Sequence, residues 1–147
     1  MNKKDHLRPL LIALKAEEEA HNFYQRMGKR STNPTGQAMF RFLAGQEKKH
    51  QQLIEQRLKK LKASLDTSRV GEKASVLSEV DFVDPALSDL ELLGLALMDE
   101  RHAFAFYVKV GRDVISPEEK ELYTILASEE KGHIQILEKE IHRLKRK

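Results

Sequence analysis

The sequence predicts an all-α protein, a four-helix bundle assembled from two duplicated helical hairpins joined by a long crossover. Three observations carry that prediction. The 147 residues include only 7 Gly and 4 Pro, so the chain favours long regular elements. Slid over itself by 83 residues, it sets Glu17 on Glu100, Ala20 on Ala103, Phe23 on Phe106, Tyr24 on Tyr107, Gly28 on Gly111, Pro34 on Pro117, Glu47 on Glu130 and His50 on His133. Between positions 10 and 62, 18 of 53 residues match their shifted counterparts, which marks an internal repeat of one supersecondary unit. Apolar residues also recur at alternating steps of three and four, the period of a helix with one buried face.

The first helix is expected from about Lys4 to Met27, stopping near Gly28. The second opens at the Asn33-Pro34 cap and runs to about Lys62. Ser88 and Glu91 have the spacing of a capping box, starting a third helix that continues to about Val110 with Gly111 as its stop. The fourth opens on Ser116-Pro117, with Glu119 as the acid of a second capping box. Loops of about five residues make each pair antiparallel. Residues 65–87, with Pro85, form the crossover; extended, they reach about 70 Å, against about 40 Å for a helix, so helices two and three can run parallel. Within it, "VLSEVDFV" reads equally as extended or helical. Residues 1–147 are expected to form one domain.

Composition narrows the function classes. With no cysteine there is no disulfide, zinc knuckle, iron–sulfur cluster or thiolate iron site, so any metal must be held by oxygen and nitrogen, and a reducing cytoplasm is the expected location. The apolar run "LLIAL" (Leu10–Leu14) is too short for a signal sequence or a membrane span. The 26 basic and 23 acidic residues are interspersed as on a solvated helical surface, which argues against nucleic acid. The basic end His142–Lys147 reads as cations complementing a helix C-terminus.

The buried seam of each helix carries an acid. It reads Leu10, Ala13, Glu17, Ala20, Tyr24, Met27 in the first helix and Phe40, Leu43, Glu47, His50, Ile54 in the second. The third gives Leu93, Ala96, Glu100, Ala103, Tyr107, Val110, and the fourth Tyr123, Leu126, Glu130, His133, Leu137. The four acids lie at similar depth from their helix starts, hence in one layer. Four buried carboxylates without a countercharge would cost several kcal/mol each. Two divalent cations would balance them, with His50 and His133 as neutral ligands. The i, i+3 spacing of Glu47–His50 and Glu130–His133 places carboxylate and imidazole about 60° apart on one face. A lone Glu-x-x-His arises by chance in Glu- and Lys-rich helices; two copies, each with a seam Glu 30 residues upstream, do not. Mixed oxygen and nitrogen ligation suits iron or manganese better than structural zinc. On this reading the metal-free protein is destabilised by repulsion, and Gln at 47 and 130 should stabilise it.

The stretches "EEEAHNFY" and "DERHAFAFY", each followed by Glu-x-x-His, resemble the paired motifs of the rubrerythrin di-iron domain in the ferritin-like superfamily, over all four helices. The resemblance implies a ferritin-like bundle holding two Fe ions (Mn or Zn as alternatives), with Glu17 and Glu100 as terminal carboxylates, Glu47 and Glu130 as bridging carboxylates, and His50 and His133 as one imidazole per iron. It lacks the cysteine-ligated rubredoxin module of full-length rubrerythrins, so electrons must come from another protein. An extra Glu that some rubrerythrins carry is Ala103 here.

Tyr24 and Tyr107 lie seven residues beyond Glu17 and Glu100, on the same face, placed either to bond a ligand carboxylate or simply to fill the core. His21, His102, Glu18, Glu19 and Glu129 fall off the seam and are expected at the surface. Phe23, Phe104 and Phe106 read as packing residues, with a subunit interface as one use, and a homodimer is expected. The leading functional expectation is an oxidoreductase reducing H2O2 or O2 at the di-iron site with an external electron-donor protein. The rivals are a ferroxidase or iron-handling protein that acts on Fe2+, and a metal-free helical interaction module.

Overall fold

The structure is a computed structural model; it describes residues 3–68, 70, 77 and 86–146, with side chains from Leu7 onward. Four helices form: α1 (Lys3–Arg30), α2 (Pro34–Lys60), α3 (Asp89–Asp113) and α4 (Pro117–Lys145). Helix α1 pairs with α2 and α3 with α4, and the two hairpins close on each other across the buried seam.

The hairpin turns are three residues long, shorter than expected, because Gly28 and Gly111 do not stop their helices. Both helices run two residues past them, and no described glycine has positive φ. The prolines set the break. A residue before proline is pushed out of the α region, and Asn33 (φ −87°, ψ 122°) and Ser116 (φ −63°, ψ 125°) are accordingly extended. Each then caps the following helix: Asn33 Oδ1 accepts from the Thr35 amide at 2.8 Å, and Ser116 Oγ from the Glu119 amide at 3.4 Å.

Of the two glycines, only Gly111 sits where its missing Cβ matters to the approach of the neighbouring helix. A Cβ on Gly111 would lie 3.3 Å from Tyr123 Cβ, whereas one on Gly28 would meet Phe40 Cβ and Arg41 Cγ at an ordinary 3.7 Å. Alanine is favoured over glycine inside a helix by about 0.8–1 kcal/mol. Gly28→Ala is therefore expected to raise the unfolding free energy by close to that amount, and Gly111→Ala by clearly less, as paired denaturant titrations will show. Equal gains at both sites would mean that the tighter contact at Gly111 has no consequence.

The capping box of Ser88 and Glu91 forms as expected. Glu119 departs from its expected role: its side chain turns inward, is 2 % exposed, and receives Arg57 Nε and Nη2 of α2, each at 3.1 Å. A charged, partly buried guanidinium outcompetes a neutral backbone amide for that carboxylate.

At its far end α2 closes with Lys62 in the left-handed region (φ 54°), and the Ala63 amide bonds Leu58 O while the Lys62 amide bonds Lys59 O. The described part of the connection then follows α1: Thr67 Oγ1 donates to Glu18, Lys15 Nζ to Val70 O, and Arg30 Nη2 to Leu87 O. Helix α3 thus starts beside the end of α1, as α2 does, and α2 and α3 run parallel. Apart from buried Leu77, the stretch "VLSEVDFV" lies outside the described residues, as does Pro85.

The core divides into two apolar blocks. One contains Ala20, Tyr24, Met27, Phe40, Leu43, Leu93, Ala96 and Leu137; the other contains Leu10, Ala13, Leu14, Ile54, Leu58, Tyr107, Tyr123 and Leu126. Every expected seam residue is buried except Ala103 and Val110, which are partly exposed. Between the blocks lies the acid layer.

Candidate metal centre

Glu17, Glu47, Glu100 and Glu130 come together from the four helices, each no more than 2 % exposed, with His50 (0 %) and His133 (4 %) among them. Their side-chain donor atoms form two groups. In one, atoms of Glu17, Glu47, His50 and Glu130 all lie within 4.8 Å of one another; in the other, atoms of Glu47, Glu100, Glu130 and His133 do. Glu47 and Glu130 belong to both. The pseudo-symmetry descends from the repeat: duplicated hairpins pack with equal register, and equivalent residues meet across the axis between them.

His50 Nδ1 lies 3.3 Å from Glu17, 3.6 Å from Glu47 and 2.9 Å from Glu130. His133 Nδ1 lies 2.8 Å from Glu47, 3.6 Å from Glu100 and 3.5 Å from Glu130. The two rings stack, with centroids 5.6 Å apart. Despite these distances, Glu17 Oε2, Glu47 Oε1, Glu100 Oε2, Glu130 Oε1 and both Nδ1 atoms satisfy no hydrogen bond. Their lone pairs converge on common points instead of meeting in donor–acceptor pairs. Buried polar atoms are almost always bonded, so six orphans in two shared groups fit metal ligation, and the oxygen and nitrogen donors suit iron or manganese.

The tyrosines bond across the bundle. Tyr24 Oη donates to Glu100 Oε1 at 2.7 Å and Tyr107 Oη to Glu17 Oε1 at 2.6 Å, so each hydroxyl serves the carboxylate of the other hairpin. That orients Oε1 of Glu100 and Oε1 of Glu17. Both phenols are held well above their usual pKa, Tyr24 by burial and the charges of Glu47 and Asp99, Tyr107 by burial and Glu17. They remain donors.

Without metal the layer is a proton-sharing network. Burial first, then the charge of Glu47, pushes the Glu17 carboxyl up to about 8. Burial and Glu130 act on Glu47 in the same direction, but contacts with Glu17, His133 and His50 outweigh them and hold it below the usual carboxylate range. Burial alone would depress both imidazoles; the surrounding carboxylates reverse this, raising His50 strongly and His133 to about 9.

Of the residues expected at the surface, His102 is exposed, while Glu18, Glu19, His21 and Glu129 are half-buried. His21 Nδ1 meets Ala44 O at 2.8 Å. Glu129 is the residue that sequence reasoning missed: its carboxylate reaches in to His50 Nε2 at 2.5 Å. Asp99, 6 % exposed beside Glu100, was missed as well. Both stand where the two copies differ, Glu129 opposite Gln46 and Asp99 opposite Ala16, so comparing the repeats was the available signal.

The rubrerythrin family model matches residues 9–141. The chain belongs to the rubrerythrin family. Among solved structures, this rubrerythrin-family chain is similar to a hypothetical protein from Pyrococcus furiosus, with 27 % identity, TM-score 0.80, and 92 % of this chain and 87 % of that one covered. It is also similar to a dodecameric thioferritin, the bacterioferritin-related protein of Bacteroides fragilis, with 23 % identity, TM-score 0.81, and 99 % and 89 % covered. The ferritin-like fold appears again in a two-domain protein from Anabaena variabilis that joins DJ-1/ThiJ/PfpI-like and ferritin-like domains, with 17 % identity, TM-score 0.76, and 99 % and 38 % covered. No curated protein matches the sequence. Within this rubrerythrin-family chain no described helix is long and apolar enough to cross a membrane.

Proposed function

We propose that residues 1–147 act as one di-iron oxidoreductase unit that reduces hydrogen peroxide, or O2, with electrons from an external protein donor. The observation that carries this reading is the pair of four-residue donor groups sharing Glu47 and Glu130, whose inward atoms are buried and unbonded. Glu17 with His50 would hold one ion and Glu100 with His133 the other, with Glu47 and Glu130 reaching both. Two ferrous ions held there would supply together the two electrons that reducing hydrogen peroxide to two waters requires, and half of the four that O2 requires.

The chain's own residues do the rest. Tyr24 and Tyr107 fix the terminal carboxylates through their hydroxyls. Leu43 and Leu126, both fully buried, wall the layer against bulk water, while Ala20 and partly exposed Ala103 keep the side chains small and leave space for a small oxidant. A cytoplasmic setting and a homodimer belong to the same proposal; exposed Phe42 (52 %) and Ile125 (41 %), at equivalent positions of the repeat, offer apolar surface to a second copy.

Iron handling is the second reading, favoured by the likeness to a protein described as a thioferritin. Anaerobic reconstitution is expected to give two irons per chain, and a plateau at one would remove the di-metal reading. Rapid mixing of the reduced protein should then show faster oxidation by stoichiometric peroxide than by air-saturated buffer, with turnover only when a donor is added. Faster oxidation by O2, with mineral growth under excess Fe2+, would transfer the assignment to ferroxidase.

A further inference from the structure

We infer that Glu129 makes the two halves of the centre unequal, so that the half built from Glu17 and His50 takes the first metal ion. The inference rests on the metal-centre reading above. Duplication gives both halves the same ligand types, and the tyrosine bonds are reciprocal, 2.7 Å on one side and 2.6 Å on the other. Position 129 breaks the symmetry. His50 Nε2 meets the Glu129 carboxylate at 2.5 Å, whereas the equivalent position in the other copy is Gln46, and among the described residues no hydrogen bond joins Gln46 to His133.

Donating Nε2–H to a carboxylate leaves the lone pair of His50 on Nδ1, the nitrogen that faces Glu17, Glu47 and Glu130. Such a bond fixes the ring's tautomer and orientation and makes it a stronger donor, and removing an outer partner of this kind typically costs 10- to 100-fold in metal affinity. An ionised acceptor also binds about twice as strongly as an amide. Glu129 is half exposed, with a side-chain accessibility of 41 %, so it places this charge beside a fully buried imidazole while itself staying solvated. Among the described residues no carboxylate is hydrogen-bonded to Nε2 of His133.

Anaerobic calorimetric titration of the full chain with Fe2+ tests this. The unaltered protein is expected to bind two ions in separate steps about 10- to 100-fold apart. Glu129→Ala should weaken the first step alone until the two converge, and Glu129→Gln, which keeps an acceptor, should fall between. Gln46→Glu should strengthen the second step alone, so that the steps converge from the other end. A purely structural role for Glu129 would weaken both steps together, and that result overturns the inference. So does a single affinity for two ions in the unaltered protein, which leaves the di-metal reading standing; no binding at all overturns both.

Discussion

Replacing Glu47 by Gln is expected to weaken both metal ions at once and to make the metal-free protein less stable. The first effect follows from position: Glu47 contributes to both donor groups. Its loss should exceed the roughly 10- to 100-fold typical of an outer partner. The second reverses the expectation drawn from sequence, that an amide here relieves repulsion. Repulsion from Glu130 is present, but contacts with Glu17, His133 and His50 outweigh it, since the net effect holds Glu47 below the usual carboxylate range. Its charged form is therefore favoured in the metal-free fold. An amide leaves a buried imidazolium without its partner, a defect costing about 3 kcal/mol. Metal titration together with urea unfolding in chelator at pH 6 checks both effects. A metal-free variant more stable than the parent would restore the repulsion account, and unchanged binding of two ions would remove Glu47 from the centre.

The second large effect is in pH. Glu17 carries a folded-state pKa of about 8 against an ordinary 4.5, so between those values the folded chain holds a proton that the unfolded chain has lost, and stability falls as pH rises. His133, raised from 6.5 to about 9, acts in the same direction: its contribution is complete below 6.5 and is lost as pH climbs through 9. Glu47, held low, contributes above its ordinary value of 4.5 and loses that contribution in acid. The metal-free protein should therefore be most stable near pH 5 to 6 and lose on the order of 5 kcal/mol by pH 9, the two groups sharing one network so that their losses do not add in full. Metal should reverse the trend. Binding displaces the protons on Glu17 and the imidazoles, so affinity, and with it the stabilisation by mass action, grows with pH. Urea midpoints at pH 5.5 and 9, with chelator and with excess Mn2+, decide the matter. Greater metal-free stability at pH 9 than at 5.5 would contradict the proton-sharing network.

The sequence by itself determined the four helices, their duplication, the caps at Asn33, Ser88 and Ser116, and the seam that carries four acids and two imidazoles. These are local or periodic properties: a cap is set within four residues, and a buried face by the 3.6-residue period, repeated here in two copies that corroborate each other. Tertiary structure alone decided the rest. Gly28 and Gly111 read as helix stops because glycine often ends helices, yet the following prolines end these ones, and Gly111 instead allows a close contact with Tyr123 of the neighbouring helix. Glu119 has capping-box spacing, but Arg57, 62 residues away, claims its carboxylate. Tyr24 and Tyr107 cross to opposite hairpins, a choice that spacing within one helix cannot express. Glu129 lies off the seam and still reaches His50, because a long side chain at the edge of a helix can turn inward where the facing helix presents a ring nitrogen. Periodicity records which face of a helix is buried; which atom each side chain meets across that face depends on how the four helices are set against one another.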